Sequence, residues 1–309
     1  MSKKRKDFFI IFLIGFILIG VLTLFLNIKS KPTIKLDKLQ VATSFYPLYF
    51  FSEQIAGGKA NVVNITPAGA EPHDYEPTAQ DIAQIENSKL LVLNGGGLEA
   101  WGNDIKQNLN PKNNLIVVAG QDLTNQQVAE EGKNIIDPHI WLSPPLAKEM
   151  VDKITQGFIQ IDSGNEKYYQ TNADTLKFKL NDLDVQYKQG LANCAEKNII
   201  TSHAAFGYLA TAYGLNQVPI TGLSPDAEPS PQQLVDIVKF AKANNVNYIF
   251  FESLVSPKLA NTIATELGAK TLVLNPIEGL SNDEIAQGEN YFTEMENNLI
   301  NLKTALQCK

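Results

Sequence analysis

Eight short β-branched runs fall into two groups of four, and between the groups lies a long stretch with no strand signal at all. The first group comprises 39–44, 61–65, 90–94 and 115–118, and the second 198–202, 217–220, 248–251 and 271–274. Longer amphipathic stretches separate the runs, which is the pattern of α/β units around mainly parallel sheets. The strand-free region covers about 145–191, and its second part, 165–191, has no proline. There Tyr168, Leu176, Leu180, Leu183 and Tyr187 recur at helical spacings, after Ser163 and Gly164. A helix of that length is roughly 40 Å long, more than one compact lobe needs. The economical reading is a rigid helical strut between two lobes, each with a four-stranded sheet flanked by helices. Two ordinary helices with a turn near Asp182 are the alternative.

The N-terminus has a separate character. Lys3, Lys4, Arg5 and Lys6 precede an almost uninterrupted apolar run over 8–26. As a helix this run spans roughly 28 Å, close to the hydrocarbon thickness of a bilayer. A cleavable signal has about 7–15 apolar residues before a small-x-small site, whereas this run ends in Leu24-Phe25-Leu26-Asn27, with no such site and no cysteine to take a lipid. The expectation is an N-terminal transmembrane helix that stays as an uncleaved anchor, with the basic end in the cytoplasm and the rest exported. A removed signal, leaving a secreted or periplasmic protein, is the alternative. A buried core helix would leave the basic cluster unexplained.

Composition narrows the function classes. Of 309 residues, 44% are apolar and 19% charged, enough to bury a sizeable core without any bias toward disorder. The formal charge is -7, and without Lys3, Lys4, Arg5, Lys6 and Asp7 the exported part has 22 basic and 32 acidic residues, or -10. Nothing in that balance would neutralise a phosphate backbone, so no nucleic-acid partner is expected. Two cysteines cannot make a disulfide framework or a four-cysteine zinc site.

The chain has only 3 histidines, and their placement is informative. His73 lies in the loop signal 69–77, His139 in Asp137-Pro138-His139-Ile140-Trp141, and His203 directly after the run 199–202. Each follows a predicted strand, where open α/β sheets place their ligands. Two also follow a proline, which stiffens the backbone that would present a ligand. Taken singly, each could be a surface or hydrogen-bonded structural residue, and there is no HExxH or CxxC signature.

From Val41 nearly to the C-terminus the sequence resembles the solute-binding proteins of metal-importing ABC transporters, the zinc/manganese type of cluster A-I. The matching segments are Ala42-Thr43-Ser44-Phe45-Tyr46-Pro47-Leu48, Glu71-Pro72-His73-Asp74-Tyr75-Glu76-Pro77, Asp137-Pro138-His139-Ile140-Trp141-Leu142 and Ser202-His203-Ala204-Ala205-Phe206-Gly207-Tyr208. They continue through Ala227-Glu228-Pro229-Ser230 and Phe251-Glu252 to Leu274-Asn275-Pro276-Ile277-Glu278-Gly279-Leu280. The resemblance implies a metal between the lobes, held by His73 and His139 from the first and His203 from the second. Many members carry an aspartate where this chain has Asn275; the zinc-binding branch uses the glutamate instead, which makes Glu278 the fourth ligand here. Its alternative is a solvent-facing neighbour of a helix cap.

Three imidazole nitrogens and one carboxylate suit tetrahedral Zn2+, whereas Mn2+ prefers more oxygen ligands. Glu71 and Asp74 beside His73, Asp137 beside His139, and Glu228 and Glu252 are candidates to accept the other imidazole N–H, although each could equally serve in a salt bridge or cap. The loop 121–134 has no histidine where many zinc-importing relatives carry a His-rich insertion. Cys194 and Cys308 could form a disulfide in an oxidising exterior.

The implied organisation is a membrane segment over 1–27, a tether over 28–38, an N-terminal metal-binding lobe over 39–163, a linker helix over 164–192 and a C-terminal lobe over 193–309. The expected function is a monomeric, membrane-tethered receptor that captures Zn2+ and delivers it to an ABC permease, and not an enzyme. Alternatives are a Mn2+-binding protein of the same class, an adhesin with a structural metal, and a metal hydrolase, which would need an open coordination position for water.

Overall fold

The computed structural model describes residues 38–309 apart from residue 131. The membrane helix expected over 8–26, and all of the tether except Lys38, lie outside the described residues. Among the described residues no helix is long and apolar enough to cross a membrane.

Strands β1 (Leu39–Thr43), β2 (Ala60–Asn64), β3 (Leu90–Leu93) and β4 (Leu115–Val118) form a parallel sheet in the order β2-β1-β3-β4. The interior strand β3 reads Leu-Leu-Val-Leu and is buried throughout, as a strand covered on both faces should be. A small antiparallel hairpin follows, β5 (Gln127–Glu130) with β6 (Lys133–Ile136). It falls in a segment expected as loop, although a two-residue spacer with Gly132 at φ 76° between short apolar-bearing runs is a hairpin signal. Strands β7 (Asn198–Thr201), β8 (Asn216–Pro219), β9 (Tyr248–Phe251) and β10 (Lys270–Val273) form the second parallel sheet, ordered β10-β9-β7-β8. Counted along the chain, both sheets have the same winding order. Proline is tolerated at the end of β8 because that strand is an edge.

Two helices fill the strand-free region, Pro144–Ile161 and Glu166–Gly190. The second, of 25 residues, is about 37 Å long and passes Asp182 without a turn. Its buried stripe is Tyr169, Ala173, Leu176, Leu180, Leu183 and Tyr187, at spacings of three and four. Tyr168, expected in that stripe, is instead 38% exposed. Its hydroxyl donates to the carbonyl of Gly57, the left-handed cap of the helix Tyr46–Ala56, while Tyr169 turns inward against Phe158.

The same long helix touches the second sheet's surroundings at its other end, where Tyr187 donates to the Met295 carbonyl at 2.6 Å and Tyr213 donates to Asp184 at 3.1 Å. One continuous apolar cluster includes Phe45, Trp141, Tyr169, Tyr187 and Tyr291. Cys194 and Cys308 are joined by a disulfide across a separation of 114 residues, which fastens the C-terminus to the segment leading into β7.

Candidate metal centre

Four loops deliver the site. His73 stands in the loop after β2, His139 just after β6, His203 two residues past β7, and Glu278 in the turn after β10. Strand ends position the second-sheet pair directly, because β7 and β9 are neighbours and His203 and Glu252 both leave at their carboxyl ends. This is the point in the strand order where the winding reverses, the usual place for a ligand in an open sheet.

The four side chains converge on one point. Glu278 Oε1 lies 3.3 Å from His73 Nε2, 3.0 Å from His139 Nε2 and 3.3 Å from His203 Nε2. His139 Nε2 is in turn 3.2 Å from His73 Nε2 and 3.3 Å from His203 Nε2. The remaining pair, His73 and His203, also falls within the 4.8 Å that encloses all four donor atoms. A tetrahedral ion with bonds of about 2.0–2.1 Å sets ligand-to-ligand edges of about 3.3 Å. Five of the six edges therefore match a tetrahedral cage.

Two imidazoles are fixed from behind. Asp137 Oδ1 accepts from the His139 ring Nδ1 at 2.7 Å and from its backbone N–H at 2.9 Å. Glu252 Oε1 accepts from His203 Nδ1 at 2.7 Å and from its backbone N–H at 3.2 Å. Each carboxylate selects the tautomer that leaves Nε2 free to bind a cation. His73 differs, since its Nδ1 has no hydrogen-bond partner among the described residues and its side chain is 10% exposed, against none for the other two. Glu71 orders its loop by accepting from the His73 backbone N–H at 3.2 Å. Burial, with the negative charge of Glu278 behind it, pushes the Glu71 carboxyl up to about 9.

Asp74 and Glu228, expected beside the imidazoles, are not there. Both are exposed, and neither is hydrogen-bonded to a site histidine. Asp74 instead accepts from Ser224 Oγ at 3.5 Å, a contact between the loop after β2 and the loop after β8.

Spacing within the sequence did not reveal the contacts that close the site. Tyr208 donates to the Asp137 carbonyl at 3.1 Å and accepts from the backbone N–H groups of Asn125 and Gln126. Beside it, a Cβ on Gly207 would stand 2.7 Å from Asp137 Oδ2, so the close approach there requires glycine. Trp141 Nε1 donates to the Pro276 carbonyl at 2.7 Å.

The profile of one protein family, described as "ZnuA: Zinc-uptake complex component A periplasmic", matches residues 41–305. The chain belongs to this family. Among relatives, it is 41% identical over 292 residues to the high-affinity zinc uptake system protein ZnuA of Bacillus subtilis (strain 168), covering 91% of this chain and 92% of that one. It is 38% identical over 301 residues to the zinc-binding lipoprotein AdcA of Streptococcus pneumoniae (strain ATCC BAA-255 / R6), covering 94% of this chain but only 60% of that longer protein. Among solved structures, the Zn(II)-bound ZnuA-like domain of Streptococcus pneumoniae AdcA superposes with a TM-score of 0.77 at 40% identity, over 87% of this chain and 99% of that one. In this ZnuA-family chain the α/β architecture with two parallel sheets is thus shared with a zinc-bound relative.

Changing Asp137 to Asn, or Glu252 to Gln, is expected to weaken zinc binding about 10–100-fold with the fold intact, because the ring loses its tautomer and orientation. Competition against a chromophoric chelator reads this directly.

Charge balance gives a second expectation. Burial alone would lower the His203 imidazole, but Glu252 and Glu278 hold it well above its ordinary value of 6.5. Burial alone would raise Glu278, but the charge on His203 and hydrogen bonds from the three rings hold it well below 4.5. The raised histidine stabilises the ion-free fold fully below pH 6.5, and that contribution is lost as pH climbs through its folded value. The depressed glutamate contributes above pH 4.5 and is lost as pH falls through its folded value. Thermal melts of ion-free protein should therefore show a stability plateau with a decline on the alkaline side. Zinc-loaded protein should lack that decline, because zinc requires neutral imidazoles.

Proposed function

We propose that His73, His139, His203 and Glu278 hold one Zn2+ as cargo, and that the chain is an extracytoplasmic receptor that hands the ion to an ABC-type importer in the membrane. The observation that carries this reading is the cage of three Nε2 atoms around Glu278 Oε1 at 3.0–3.3 Å. Its donor set is nitrogen-rich, which favours zinc over manganese. Four protein ligands fill a tetrahedron and leave no position for an attacking water, which argues against a hydrolase.

In this reading residues 39–163 and 193–309 are the two metal-binding lobes, 164–192 links them, and movement about that link opens the site at the permease. Residues 8–26 tether a monomer to the membrane. Elemental analysis of protein purified from zinc-containing medium should give about one zinc per chain, and zinc should raise the melting temperature of chelated protein. Absence of both would overturn the proposal. Unchanged zinc uptake after deletion of the gene would favour an adhesin in which the metal is structural.

A further inference from the structure

The turn that presents Glu278 is held in a conformation its own sequence resists. Ile277 has φ 58° and is fully buried. That left-handed region crowds Cβ against the backbone, and a β-branched residue is rarely found there. Glycine would take the conformation freely. Such strain persists only where surrounding contacts over-determine it, and it concentrates at ligand clamps.

Those contacts come from two sides. Asn275 Oδ1 accepts from the Ile277 N–H at 2.8 Å, while Asn275 Nδ2 donates to Ser253 Oγ at 3.1 Å and to Glu294 Oε2 at 3.0 Å. Its backbone is clamped by Asn298, through an N–H to Asn298 Oδ1 and a carbonyl that accepts from Asn298 Nδ2, both at 2.7 Å. From the other side of the site, the Trp141 indole N–H reaches the Pro276 carbonyl at 2.7 Å. Trp141 is itself immobilised, fully buried with its ring edge-on to Phe45 and its carbonyl accepting from the Tyr291 hydroxyl at 2.6 Å. Trp141 stands two residues after His139, and Pro276 two residues before Glu278. The indole therefore ties the backbone beside one proposed ligand to the backbone beside another, without passing through the ion.

We propose that Trp141 and Asn275 are positioning residues that lock the Pro276–Ile277 turn so that Glu278 Oε1 stands among the three imidazole nitrogens before an ion arrives. This rests on the reading of Glu278 as a ligand. The test uses Trp141→Phe, which keeps the aromatic packing and loses the donor, and Asn275→Ala, which removes the acceptor of the Ile277 N–H and the donor to Ser253 and Glu294. Each is made in the full chain alone and together with Glu278→Gln. Zinc affinity is read by chelator competition, and ligand geometry by the visible absorption of the Co2+-loaded protein.

Each single variant should weaken zinc binding about tenfold or more and alter the Co2+ spectrum. In the Glu278→Gln background neither should weaken it further, because the carboxylate they position is gone. Equal losses in both backgrounds with an unchanged Co2+ spectrum would mean a merely structural role and overturn the proposal. If Glu278→Gln alone binds zinc as tightly as the parent, the ligand reading fails instead. Should either variant not fold, the other decides the matter by the same two readouts.

Discussion

His139→Ala should cost more zinc affinity than either substitution behind the rings, exceeding the roughly 100-fold upper range expected for those partners. The His139 Nε2 atom lies within 3.3 Å of the donor atom of each of the other three residues, so its loss removes a central corner of the cage. The ring is also fully buried, and Asp137, only 1% exposed, would keep the backbone N–H of residue 139 but lose the shorter hydrogen bond from the ring Nδ1 at 2.7 Å. A hydrogen bond to a charged group contributes about 1.5–3 kcal/mol, and truncating the buried ring adds the cost of a cavity. The variant should therefore show two separable defects, a lower melting temperature without zinc and the absence of any rise with it. A parent at a zinc concentration 1,000 times its Kd gains about 4.1 kcal/mol, so the missing rise is easily read in a thermal melt. His73→Ala is the informative contrast. With no carboxylate on Nδ1 and partial exposure, its loss should lower affinity while leaving the ion-free melt nearly unchanged.

The second large effect concerns the disulfide. Cys194 and Cys308 close a loop with a sequence separation of 114. For a loop of about 100 residues the chain-entropy contribution is about 4.7 kcal/mol, and removal of a native disulfide commonly costs about 2–5 kcal/mol. Replacing both cysteines with alanine should lower the melting temperature by roughly 5–15 °C for a domain of this size. Reductant should reproduce the drop in the parent and do nothing further to the variant. Zinc affinity should change little, because the helix Tyr291–Ala305, whose Glu294 and Asn298 brace the Glu278 turn, is also held by the Tyr187 and Tyr291 hydroxyls.

Local periodicity made the strands and the long helix legible. All eight expected strands of the two parallel sheets are present with ends shifted by at most one residue, since alternating β-branched runs and short polar breaks are properties of the segment itself. The helical stripe was read one residue out of phase at its start, at Tyr168 in place of Tyr169, because neighbouring tyrosines fit the period almost equally and only the docking onto Gly57 separates them. The hairpin β5–β6 escaped because its strands are short and two of its apolar residues, Ile135 and Ile136, remain exposed.

At the site, the histidines were singled out by scarcity and by their loops, and the family resemblance added Glu278. The carboxylates behind them were less predictable. Asp137 and Glu252 face their imidazoles, whereas Asp74, adjacent in sequence to His73, points away. Sequence adjacency does not say which way a loop side chain turns. The Trp141 and Ile277 contacts lay further out of reach, because they join segments 135 residues apart and depend on a backbone angle that residue type argues against.

His73 and His139 precede the long helix, and His203 and Glu278 follow it. In the proposed ligand set each side contributes two donor atoms and alone would be a bidentate chelator with half a coordination shell. Binding strength then belongs to the juxtaposition, since the second pair acts at an effective concentration fixed by the scaffold. A small separation of the two sides would exchange one tight site for two weak ones with every ligand chemically unchanged.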